Sequence, residues 1–180
     1  MNSEYGADII GDIQYLKTIH HSYRNLFVSG AFPVSSNVMD NLKKHDITVV
    51  VSLTENKLLS LNDPRITDNI IRFHYKTLDL TDFDISKWFD RAYIDLEKYL
   101  YEKVPQNILI HCNEGKSRSV TLMISIVLNM FKIFMKNDIC YTDLILKRIR
   151  VNRKQAEPNP GFMVLLYAYE KKLKSDTICI

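Results

Sequence analysis

The sequence predicts an α/β fold: one domain with a central, mostly parallel sheet flanked by helices. Three observations predict it. Ile47-Thr48-Val49-Val50-Val51-Ser52-Leu53 is β-branched and does not alternate, the pattern of a strand buried on both faces. Segments of helical periodicity stand between runs of this kind, the order from which parallel sheets are built. Finally, the apolar run Asn107-Ile108-Leu109-Ile110 enters a polar loop, His111 to Ser119, and the long apolar segment Val120 to Phe134 leaves it. That is strand, tight loop, buried helix.

The elements follow in order. Residues 5–19 place Tyr5, Ile9, Ile10, Ile13 and Leu16 at roughly helical spacing, against two poor helix formers, Gly6 and Gly11. Residues 1–24 thus read either as an amphipathic arm packing on the domain or on a second copy, which would make a homodimer, or as a frayed terminus. The main domain is expected over 25–175, with a tail at 176–180. Leu26 to Gly30 is a short strand into a turn. Ser36 and Asn37 can cap a helix bearing Val38, Met39 and Leu42. Residues 55–69 are polar and irregular, and Ile70 to Tyr75 is another strand. Asp84 or Ser86 caps a helix whose inward face is Trp88, Phe89, Ala92, Tyr93, Leu96, Tyr99 and Leu100. The segment from Val120 is apolar nearly all round and belongs in the middle of the core. Thr142 or Asp143 opens the next helix, and Pro158 and Pro160 precede the last one.

Composition sets the outer bounds. With 180 residues, 46% hydrophobic and 25% charged, the chain can bury one sizeable core. A net charge of +3 tolerates an anionic substrate without indicating nucleic acid. The Val120 segment is broken by Ser125, Asn129 and Lys132 and is too polar to span a bilayer. Cys112, Cys140 and Cys179 are too widely spaced for a disulfide framework or a metal site. No secretion signal is visible, so a reducing, cytoplasmic compartment is expected.

The loop carries the chemistry. Its backbone N–H groups can curl around an anion with the positive end of the helix dipole behind them. Gly115 permits close approach of backbone, and the planar fork of Arg118 matches two phosphate oxygens. Cys112 sits at the mouth, where these groups favour a thiolate. A thiolate beside an anion cradle suits nucleophilic attack on phosphorus. The departing oxygen then needs a proton, and Asp79, Asp82 and Asp84 are the carboxylates nearby in sequence.

His111-Cys112-x-x-Gly115-x-x-Arg118-Ser119 resembles the signature of the cysteine-dependent protein tyrosine phosphatase superfamily, and Glu114 to Ser119 resembles its dual-specificity branch, including the small enzymes of poxvirus type. The likeness runs from about Leu26 to Leu173 and takes in Asn159-Pro160-Gly161-Phe162 before the last helix. It implies a protein tyrosine phosphatase-like fold and phosphomonoester hydrolysis through a phosphocysteine. Cys112 would be the nucleophile, and Arg118 with the backbone of Asn113, Glu114, Gly115, Lys116 and Ser117 would hold the phosphate. Ser119 would donate to the sulfur as it leaves. In that family the acid lies five residues before the residue that opens the next helix, here Asp84, so the resemblance implies Asp79 as the acid and Asp84 as a cap. His111 is expected to be a core residue and not a base. Glu114 should turn away from the substrate. No metal or cofactor is implied.

The expected partner is a phosphoprotein bearing phosphotyrosine or phosphoserine/threonine. Lys116 inside the loop keeps open a non-protein substrate, a phosphoinositide or an RNA 5′-triphosphate. A phosphate-binding module without activity is the third alternative, although Cys112, Arg118 and Asp79 all remain. Lys147, Arg148, Arg150, Arg153 and Lys154 form a basic cluster, read either as a solvated helix face or, at Arg153 and Lys154, as a candidate second anion site.

Overall fold

A computed structural model describes residues 8–9, 26–30, 42–43, 45–56, 70–101 and 106–178. Strands β1 (Asp8–Ile9), β2 (Leu26–Ser29), β3 (Ile47–Thr54) and β4 (Ile71–Lys76) come first. Helix α1 (Phe89–Tyr101), strand β5 (Asn107–His111) and helices α2 (Arg118–Phe131), α3 (Tyr141–Asn152) and α4 (Pro160–Ile178) follow. The sheet order is β1-β2-β5-β3-β4. All neighbours run parallel except β1, which is antiparallel to β2. This is the expected α/β domain.

The order places β5 in the middle, with Ser29 of β2 and Ser52 of β3 in register with His111 at its end. The carboxyl ends of parallel strands are where α/β sheets bind ligands, because the loops there face an open crevice. β5 is buried from Ile108 to His111, as its unalternating sequence requires. The helix leaving the loop, α2, is buried at every position from Arg118 to Asn129, and α1, α3 and α4 pack around it. A buried Leu or Ile stabilises by roughly 1.5–3 kcal/mol over an exposed one. Leu122, Ile124, Ile126 and Leu128 therefore anchor the loop's rear end firmly to the core. The apolar segment then tightens into a 3₁₀ turn at Lys132–Phe134, where Ile133 and Phe134 emerge into solvent. Among the described residues, no helix is long and apolar enough to cross a membrane.

Two expectations need correction. Asp8 and Ile9 are extended and pair with Val28 and Phe27, against the helical spacing of this stretch. The free edge of β2 offers backbone partners there, between glycines that weaken a helix. The sheet thus begins before residue 25. The rest of the arm, the Ser36 and Asn37 cap, Val38 and Met39, most of 55–69 and the end of the tail lie outside the described residues. The second correction concerns α3. Neither Thr142 nor Asp143 caps it. The buried carboxylate of Glu170 on α4 does so, accepting the N–H groups of Tyr141 and Thr142 at 2.8 Å each. Burial alone would raise its pKa. Hydrogen bonds from Lys174, Thr142 and Tyr141 more than offset that and hold it below the usual carboxylate range.

Candidate active site

Residues 112–118 turn sharply between β5 and α2, directly over the end of β2. Gly115 has φ of +65°, and a Cβ on it would stand 2.4 Å from Gly30 N, Ser29 C and an Arg153 guanidinium nitrogen. Only glycine meets both demands. Gly30 is closely approached as well, though less severely: a Cβ there would lie 3.1 Å from Asn113 O. The loop is therefore shaped by contact with β2 as much as by its own sequence.

Cys112 is buried at the base of the loop. Its Sγ accepts the Gly115 N–H at 3.2 Å and lies 3.2 Å from Ser119 Oγ. Ser119 is in the first turn of α2 and fully buried. Arg118 is also buried; one guanidinium nitrogen donates to Thr77 O at 3.3 Å. Its Nε lies 3.4 Å from Asp79 Oδ2, without the alignment of a hydrogen bond.

Asp79 reaches the loop from the segment after β4. Ser117 Oγ donates to its Oδ1 at 2.7 Å, and Asn159 Nδ2 does so at 2.9 Å. Asp82 is exposed, and Asp84 accepts the Ser86 N–H at 3.0 Å, which makes it the turn-former before α1. Of the three carboxylates, Asp79 is the one bonded to the loop. The segment carrying it is fixed at both ends, by Thr77 N–H to Thr54 O at 3.1 Å and by Trp88 Nε1 to Lys76 O at 3.2 Å. It also presses on α4: a Cβ on Gly161 would stand 1.8 Å from Thr81 O.

His111 is buried, and its Nε2 is 2.7 Å from Ser52 Oγ across the β3–β5 ladder. Burial, against the opposing bond to Cys112 backbone, pushes its pKa down to about 4. The imidazole is therefore neutral in the folded chain at neutral pH. An unfolded histidine titrates near 6.5. The depressed folded value makes stability complete above about pH 6.5, with loss as pH falls toward 4. This one group should cost about 3 kcal/mol over that interval. Urea unfolding of the parent and of His111→Gln, at pH 7 and pH 4.5, checks it: the acid-induced loss should be smaller in the variant.

The dual specificity phosphatase catalytic domain matches residues 30–172. The chain belongs to this family. Among relatives, it is 29% identical over 153 residues to a probable dual specificity protein phosphatase of Dictyostelium discoideum, covering 83% of this chain and 63% of that one. It is 26% identical over 163 residues to dual specificity protein phosphatase 1B of Arabidopsis thaliana, covering 89% and 86%. It therefore spans somewhat under two thirds of the first relative and most of the second. The Yvh1 phosphatase domain from Chaetomium thermophilum superposes with a TM-score of 0.70 at 26% identity, over 92% of this chain and 95% of that one.

In this member of the family the candidate second anion site must be revised. Arg153 is buried and faces inward; its guanidinium donates to Gly115 O and, at 3.1 Å, to Glu114 O. It braces the loop and presents no open cation. Lys154 beside it is exposed and has lost the partner that would make a site. Glu114 is exposed, and it is its carbonyl, not its carboxylate, that accepts from Arg153 and Gln155.

Sequence reasoning gave Asn159 no role at the site. It is the N-cap of α4: its Oδ1 accepts the Phe162 N–H at 2.9 Å, with Pro160 opening the helix. The same residue donates to Asp79 through Nδ2 and to Ser117 Oγ through its backbone N–H at 3.2 Å. Asn-Pro signalled the cap; nothing local signalled the contact with Asp79, 80 residues away. Asn159→Ala should cost about 1 kcal/mol of stability through the lost cap. Asn159→Asp keeps the cap but replaces the donor facing Asp79 with a like charge, so it should lower hydrolysis with little loss of stability; a thermal melt and an assay on each variant test this.

Proposed function

We propose that this phosphatase hydrolyses phosphomonoesters through a phosphocysteine, with phosphotyrosine and phosphoserine/threonine of proteins as substrates. The observation that carries the reading is the convergence of Cys112, Arg118 and Asp79, three groups from two separate segments, around one loop. The Cys112 thiolate attacks phosphorus in line, and an S–P bond forms as the ester P–O bond breaks. Asp79 delivers a proton to the departing oxygen. Loop N–H groups and the Arg118 guanidinium hold the equatorial oxygens, where charge gathers. Arg118 Nε, buried without a hydrogen-bond acceptor, gains one from such an oxygen. Water then attacks the phosphocysteine, Asp79 takes its proton, and the S–P bond breaks. Ser119 Oγ, 3.2 Å from the sulfur, donates to the thiolate as it departs. A reducing intracellular compartment suits such a nucleophile.

Rates on a phosphotyrosine peptide, a doubly phosphorylated peptide, inositol phosphates and triphosphate-ended RNA test the reading. The peptides should be preferred by kcat/KM. Preference for a non-protein phosphate would replace the substrate assignment while leaving the reaction intact.

A further inference from the structure

Lys116 is the loop's one side-chain cation besides Arg118, and it has a built-in partner. Its Nζ lies 2.8 Å from Glu157 Oε2, and its carbonyl accepts the Glu157 N–H at 2.8 Å. The backbone bond sets Glu157 beside Lys116 whatever its side chain does. Both side chains are substantially exposed, so the pair adds little to stability. Its effect is on the field at the mouth of the cradle, where a carboxylate occupies the cation that a second phosphate would need.

We propose that Glu157 is a tethered counter-ion that claims Lys116 and biases the site toward substrates with a single phosphate at the loop, against those with a second phosphate directly beside it. This rests on the phosphatase reading above and narrows its substrate class. Lys116 alone would favour a multiply charged group; Lys116 with Glu157 does not. A second phosphate must displace the carboxylate and then sits near it. Asp79 and Glu114 also lie within electrostatic reach of Lys116, so the mouth already carries negative charge. Arg150, whose Nε donates to Ala156 O at 2.8 Å, is the other cation that influences Glu157.

Orthophosphate and pyrophosphate are suitable probes, because pyrophosphate carries its second phosphate immediately beside the first. Competitive inhibition of nitrophenyl phosphate hydrolysis is measured for the parent, Glu157→Gln, Lys116→Met and the double variant. Glu157→Gln should tighten pyrophosphate about fivefold and orthophosphate less than about twofold, an effect that fades as salt screens the charges. The gain should vanish in the double variant, because it runs through Lys116. Equal tightening of both anions would overturn the proposal, since that would be a general field effect. So would a gain that persists without Lys116, which would point to Arg150. Calorimetric titration of the same anions reads the selectivity without turnover. If the parent fails to hydrolyse any phosphomonoester yet the calorimetric selectivity behaves as described, the phosphatase reading fails and the role of Glu157 stands.

Discussion

Replacing Cys112 by serine should lower turnover at least about a thousandfold while phosphate binding survives. The sulfur is held in place by the Gly115 N–H and Ser119 Oγ, and a serine oxygen fits the same position. A neutral hydroxyl there, with no base bonded to it, is a far poorer nucleophile than a thiolate. The neighbouring imidazole gives no help, since His111 Nε2 is engaged with Ser52 behind the loop. The cradle itself does not depend on sulfur: Gly115 keeps its φ of +65°, and Arg118 keeps its bond to Thr77 O. Calorimetric titration with phosphate should therefore match the parent within a few-fold. Residual turnover above a tenth of the parent value would end the covalent mechanism.

Asp79→Asn should separate substrates by the basicity of the oxygen that departs. A nitrophenolate leaves with little help, a tyrosine phenolate needs more, and a serine or threonine alkoxide needs most. The asparagine keeps an oxygen to accept from Ser117 and Asn159, so the loop stays where it is. Activity on nitrophenyl phosphate should fall modestly, and on phosphopeptides by on the order of a hundredfold or more. A plot of log kcat/KM against leaving-group basicity should steepen in the variant. Asp82→Asn, at an exposed position off the loop, is the control. If Asp82→Asn steepens the plot and Asp79→Asn does not, the acid is Asp82.

What the sequence made legible was local. β3 and β5 declared themselves through unbroken apolar runs, and α2 through apolarity on all sides, because each pattern spans a single element. The loop was legible for the same reason: Cys112, Gly115, Arg118 and Ser119 fall within eight consecutive positions. What escaped notice depends on elements meeting across the fold. Arg153 sits in a run of cations that resembles a solvated face, and only the approach of 112–118 turns it inward. The Ser52–His111 contact is fixed by strand register, which no short window contains. Glu170 replaces a local cap on α3 from a helix that follows it in the chain. The extended pair at Asp8–Ile9 answers to a sheet edge and overrides a helical spacing.

The short connection between α3 and α4 makes the site a cooperative unit. Arg153 holds the loop, Glu157 bonds Lys116, and Asn159 ties Asp79 to Ser117. Each of these contacts spans roughly forty to eighty residues of chain. The sheet is no more local, since Leu26 pairs with Ile108 and Ser52 with His111. The cradle and its acid are thus held by one short stretch of late chain, so loss of the α3–α4 connection loosens both together. A local opening of that connection should therefore disorder the loop and release the acid in one event, without unfolding the sheet.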